Sequence, residues 1–136
     1  MEENYAIEAV YSLRRSNGSV TSRVTIEPGG LLRQEVRRIS ADGHEDRHEQ
    51  TVNVPVETVI GILSFAEVIG FWNVKHSDAL PADRPIFEIC LRLGQRHGMA
   101  RVSDLERLAR DGTSGELVAL FELWRRICQY QPIKLA

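Results

Sequence analysis

The clearest pattern in the chain is an alternation of apolar and polar residues from Phe87 to Val102 that folds on paper into a hairpin. With Gly94 and Gln95 as a two-residue type II′ turn, Phe87 faces Val102, Ile89 faces Ala100 and Leu91 faces Gly98 on one side. Glu88 faces Arg101 and Arg92 faces His97 on the other. That sorting describes an antiparallel sheet with one buried and one wet face. The same period runs through the N-terminal half. Asn17-Gly18 is a strong turn signal, and counting outward from it sets Leu13 against Ser22, Tyr11 against Val24, Ala9 against Ile26 and Ile7 against Pro28. Ser12, Arg14, Thr21 and Arg23 then share the opposite face. In this register Glu8 faces Glu27, a repulsive pair that calls for a bulge or fraying near Pro28. Pro28-Gly29-Gly30 fits a three-residue loop that brings Leu32 onto Ile26 and Arg23 onto Glu35, giving a strand from Leu31 to about Ile39. A turn near Ala41-Asp42-Gly43 leads into a fourth strand with Val52 beside Gln34 and Val54 beside Leu32, although His44 to Gln50 is entirely polar.

Elsewhere the period lengthens to that of a helix. Pro55 at a first helical position and Gly70 past the end frame Val56 to Ile69, where Val56, Val59, Ile60, Leu63 and Ala66 share one face. After Phe71-Trp72 comes an irregular stretch to Pro85. Ser103-Asp104-Leu105-Glu106 and Thr113-Ser114-Gly115-Glu116 both fit the capping box. The first opens a short turn of helix ending near Gly112. The second opens a longer helix with a stripe of Leu117, Leu120, Phe121, Trp124, Ile127 and Cys128. These elements predict an α+β class: a mostly antiparallel sheet in the order ββββαββα, with two amphipathic helices packed on one face, as a single domain over residues 1–136.

Composition narrows the setting without changing the fold. A chain of 136 residues can bury a core without disulfide or metal staples, and its net charge of -2 lacks the basic footprint that nucleic acid or an anionic membrane needs. Arg33, Arg37, Arg38 and Arg47 are interleaved with Glu35, Asp42, Glu45, Asp46 and Glu49, the mark of a solvated face. The acidic start leads straight into a strand pattern, and no apolar run is long enough to cross a bilayer, so a cytoplasmic setting is expected. Cys90 and Cys128 are then expected to be reduced and structural, and no cofactor is called for.

One segment carries a catalytic signature. His44-Glu45-Asp46-Arg47-His48 matches H-E-x-x-H, in which two histidines one helical turn apart hold zinc and the glutamate activates water. That chemistry requires a helix. The pentapeptide follows a turn signal and has no apolar stripe, and in an extended strand His44 and His48 stand about 13 Å apart, too far to share an ion. A solvated hairpin tip is the competing assignment and the expected one. His76, Asp78 and Asp83 place a base and two carboxylates in one loop, with nothing in the sequence to orient them. Phe71 and Trp72 follow a helix-ending glycine and are expected to close the core, with Trp72 also a candidate contact beside the loop. No Ser-His-Asp context, glycine-rich phosphate loop or Cys-x-x-Cys pair is present.

From about Val56 to Cys128 the chain resembles a group of small bacterial α+β domains that includes the emfourin-like inhibitors of thermolysin-type metalloproteases. The similar features are a helix ending in Gly70-Phe71-Trp72-Asn73-Val74, a loop with Asp83 and Pro85, the run Phe87 to His97, and a closing helix. The resemblance implies a non-catalytic binding domain and transfers no inhibitory residue. The expectation is thus a protein-binding domain, with protease inhibition as its finer form, contacting a partner through Trp72, His76, Asp78 and Asp83 or through a sheet edge. Alternatives are a zinc-dependent hydrolase built on His44 and His48, and a structural subunit of a homo-oligomer.

Overall fold

The computed structural model describes residues 4–73, 75–77 and 83–135. Four long strands come first: β1 (Tyr5–Arg15), β2 (Gly18–Glu27), β3 (Leu31–Ser40) and β4 (Glu45–Asn53). Helix α1 (Val56–Val68) follows, then a 3-10 turn over Phe71–Asn73 and a short strand β5 (Lys75–Ser77). The β6 (Ile86–Leu93) and β7 (Arg96–Ser103) hairpin leads into α2 (Leu105–Asp111) and α3 (Gly115–Ile127). All strands join one sheet in the order β4-β3-β2-β1-β6-β7-β5, antiparallel except where β5 lies parallel to β7. The α+β class holds, and β5 is an addition within the stretch expected to be irregular.

The β6–β7 hairpin has the register its alternation dictates, with Phe87 opposite Val102, Ile89 opposite Ala100 and Leu91 opposite Gly98. Positive φ falls on Gly94, as a type II′ turn requires. The three-residue loop 28–30 likewise places Leu32 opposite Ile26 and Glu35 opposite Arg23.

Two registers differ from expectation, each by two residues, so every side chain stays on its predicted face. In the first hairpin the turn is Ser16-Asn17, with Arg15 opposite Gly18 and Leu13 opposite Val20. The shift removes the Glu8–Glu27 clash. Glu8 now lies opposite Thr25, and its carboxylate accepts from Arg23 Nη1 at 2.6 Å. Gly18 is a requirement of the sheet instead of the turn: at φ +133° a Cβ there would run into the Ile39 carbonyl oxygen. In β4, Val52 lies opposite Leu32 and Gln50 opposite Gln34, because the turn at Ala41-Asp42-Gly43 is closed by the Ser40 amide donating to the His44 carbonyl at 2.9 Å, which centres the hairpin on Asp42. Asp42 shapes that turn, its carboxylate accepting from the Ser40 hydroxyl and, at 3.1 Å, from the His44 amide.

Helix packing follows the apolar stripes with corrections. In α1 the buried residues are Val59, Ile62, Leu63 and Ala66, whereas Val56 and Ile60 face outward. The helix is apolar nearly all round, so the sequence did not single out its inner face. In α3, Leu120, Leu123 and Ile127 are buried, and Trp124 packs edge-on against Phe87 at 5.0 Å between ring centres. Ser114, one residue later than expected, caps α3 by accepting from the Leu117 amide at 3.3 Å. The box at Ser103 does not form. Asp104 precedes α2 in the left-handed region at φ 57°, and its carboxylate turns to Arg84 and Arg107.

The core lies between the helices and one face of the sheet, formed by Ile7 and Ala9 of β1, Val24 and Ile26 of β2, Leu32 of β3, and Ile89 and Leu91 of β6. Gln34 on that face is fully buried, and the segment after α3 runs across it. Gln34 accepts from the Ile133 amide at 2.8 Å and donates to the Ile133 carbonyl at 3.1 Å and the Ser22 hydroxyl at 3.0 Å. No described element covers the other face.

Candidate functional site

The residues singled out in the sequence do not converge. Trp72 is in the core at 7 % exposure, so it closes the core and is not presented as a contact. Arg96 lies over its ring at 4.9 Å from the ring centre and pairs with Glu67 of α1 at 2.7 Å. That guanidinium holds the Glu67 carboxyl below the usual range. Trp72 Nε1 lies toward the same carboxylate but makes no hydrogen bond. The backbone of His76 is in β5, paired with Ala100, and Asp83 is exposed on the turn before β6. Asp78 lies outside the described residues. The H-E-x-x-H segment leads into and forms the start of β4, so His44 and His48 are not a helical turn apart. His48 Nε2 instead meets Asp46 Oδ2 at 3.1 Å. Among the described residues no cluster of three His, Cys, Asp or Glu side chains could hold a metal ion.

The sheet edges offer little to an added strand. Strand β4 forms one edge and carries exposed charges from Glu45 to Glu49, a composition that discourages strand addition. The other is the three-residue β5.

The uncovered sheet face has more structure. Across β1 to β4 its charges are largely paired: Arg23 with Glu8, Arg33 with Glu27 and Glu49, and Arg47 with Glu35 and Glu45. The pairing gives way at one end, near the β1–β2 turn. There a cavity of about 390 Å³ is rimmed by Arg14, Arg37, Arg84 and Arg101, with Ser12, Ser19 and Thr21 supplying short hydroxyl side chains between them. Among the described residues no carboxylate lines it.

The four arginines are not equivalent. Arg37 is forked onto Glu45 through Nε at 2.9 Å and Nη2 at 3.2 Å, which raises its pKa and holds the Glu45 carboxyl low. Arg84 is tethered at 3.6 Å to the carboxylate of Asp104, whose side chain is only 12 % exposed. Arg14 and Arg101 are exposed, and among the described residues neither has a carboxylate partner. Among the described residues the cavity therefore presents two guanidinium groups with no bonded carboxylate, Arg101 having Glu88 as its cross-strand neighbour, above a floor of Ser12, Ser19 and Thr21 with Ile39 and Ile86, suited to binding an anion.

No family model and no curated protein matches the chain. The likeness to emfourin-like inhibitors rests on the quoted residues alone.

The sequence contained the ingredients. Alternation put Ser12, Arg14 and Thr21 on one wet face and Arg101 on the wet face of the later hairpin. What it lacked was the pairing of β1 with β6, a contact between strands about 80 residues apart in the chain, which merges those two faces.

Proposed function

We propose that this chain is a non-catalytic protein-binding domain whose contact surface is the uncovered face of the sheet. The observation that supports this reading is the asymmetry of the sheet: one face is sealed by α1, α3 and the C-terminal segment, while the other holds a cross-strand array of charged pairs interrupted by the arginine-rimmed cavity. A rigid, polar, pre-paired face positions side chains for recognition at little conformational cost. Cys90 Sγ lies 3.8 Å from His97 Nε2, yet burial and then Glu8 and Glu88 push its thiol up, away from the reactive thiolate.

The test is photo-crosslinking in extract of the source cell, with a photoreactive residue at Thr25 near the middle of the open face or at Val118 on the outside of α3. Protein adducts from position 25 and none from 118 are expected. Adducts from position 118 alone, or from neither, would contradict the reading. Inhibition of a protease is the narrower form of the same proposal. A thermolysin-type metalloprotease whose turnover is unchanged by excess domain would remove that form and leave the broader one.

A further inference from the structure

We propose that the arginine-rimmed cavity holds a carboxylate-rich, extended segment of the partner protein, an inference that rests on the protein-binding reading above. The spacing of Arg14 and Arg101 carries it. Val10 of β1 lies opposite Glu88 of β6, and Glu88 lies opposite Arg101 of β7, so Arg101 sits two strands across from Val10. Arg14 is four residues further along β1. At about 4.8 Å between strands and about 3.3 Å per residue, the two arginine backbones are separated by about 16 Å along a diagonal of the sheet. An extended peptide of about five or six residues spans it and can offer a carboxylate at each end.

The floor supports the same occupant. Ser12, two residues from Arg14 on β1, lies opposite Thr21 of β2 on one side and Ile86 of β6 on the other, and the Ser12 and Thr21 hydroxyls can donate to carboxylate oxygens. Among the described residues no aromatic side chain lines the cavity, so a nucleobase has no platform for stacking. A longer polyanion would also run onto Glu8, Glu35 and Glu88, which share the open face. Charge complementarity is therefore local, and a short acidic stretch fits it where an extended nucleic acid does not. Arg84, held by Asp104, lines the cavity beside this path, and Arg37, held by Glu45, lies beyond its β1 end.

The experiment is a fluorescence-anisotropy titration of the full chain against labelled hexaglutamate, with hexaglutamine, inorganic phosphate and oligouridylate as comparisons. Saturable binding of hexaglutamate is expected, strengthened as salt is lowered. The Arg14→Glu, Arg101→Glu double variant should weaken it by about tenfold or more. Arg125→Glu, on α3, should leave it unchanged. Both arginines are exposed, and circular dichroism will show that the double variant folds. Hexaglutamate binding no tighter than hexaglutamine, undiminished binding by the double variant, displacement by equimolar phosphate, or tighter binding of oligouridylate would each overturn the proposal. Cross-links from position 25 without hexaglutamate binding would leave the protein-binding reading in place and remove only this occupant.

Discussion

Gly98 and Phe71 show how a single residue fixes the layout beside β7. Phe71 is fully buried, and a Cβ on Gly98 would lie 2.7 and 2.9 Å from its ring carbons as well as against its carbonyl oxygen. Only glycine lets the 3-10 turn after α1 settle onto β7. Gly98→Ala should destabilise the protein by at least about 2 kcal/mol, because a backbone atom cannot move aside as a flexible side chain does. A urea unfolding midpoint equal to that of the parent would refute this. The cysteines give a second residue-level test. Burial pushes the Cys128 thiol up to about 12, whereas Cys90, half-buried on the open face, is raised by burial and then by Glu8 and Glu88. Under native conditions at mildly alkaline pH, iodoacetamide should modify Cys90 before Cys128, as read by peptide mass. Modification of Cys128 first would place that helix end differently.

At the scale of elements, Gln34 ties the C-terminal segment to the middle of the sheet. It is a buried amide with both ends satisfied, and its partners at Ile133 lie 99 residues away. Gln34→Leu keeps the volume and strands the Ile133 amide without an acceptor, costing about 1–3 kcal/mol locally. Hydrogen exchange at Ile133 should then accelerate by about tenfold to a hundredfold. Unchanged protection would mean that the segment is held by something else. Gln34 also shows where sequence reading stops. Its place on the buried side of β3 was legible from alternation, but a glutamine in a core position has meaning only once the distant segment that satisfies it is known. The β6–β7 hairpin was legible in full because its turn and both faces are local. The β1–β2 and β3–β4 registers slipped by two, since the faces alone do not distinguish registers two residues apart. The Glu8–Glu27 repulsion in the expected pairing was the available sign of the true register, and it pointed to a shift of the whole strand instead of a bulge. The arginine cavity was illegible for the opposite reason: Ser12, Arg14, Thr21 and Arg101 lay on correctly assigned faces, but no local signal joins β1 to β6.

Over the whole molecule, charge is arranged by face more than by amount. A chain of net charge -2 pairs most of the open-face charges of β1 to β4 and, among the described residues, leaves Arg14 and Arg101 at one end without a bonded carboxylate. The paired carboxyls also set the acid response. Asp42 is held low by the Ser40 hydroxyl and the His44 amide, Glu45 by Arg37, and Glu67 by Arg96. A carboxyl lowered by folding contributes stability that is fully present above its unfolded value and is lost as pH falls through its folded one. The thermal midpoint should therefore decline as pH drops below the ordinary values of 3.8 for Asp and 4.5 for Glu. Added salt should blunt the decline, because these groups are exposed. A midpoint flat through that window would show that the pairs do not persist in solution. The most direct test of the arginine-rimmed cavity on the open face as the site of an acidic segment is an amide chemical-shift map of the isotope-labelled chain titrated with hexaglutamate. The largest changes should gather at Ser12, Arg14, Ser19, Thr21 and Arg101, with α1 and α3 silent. Changes centred on the helices, or none anywhere, would contradict it.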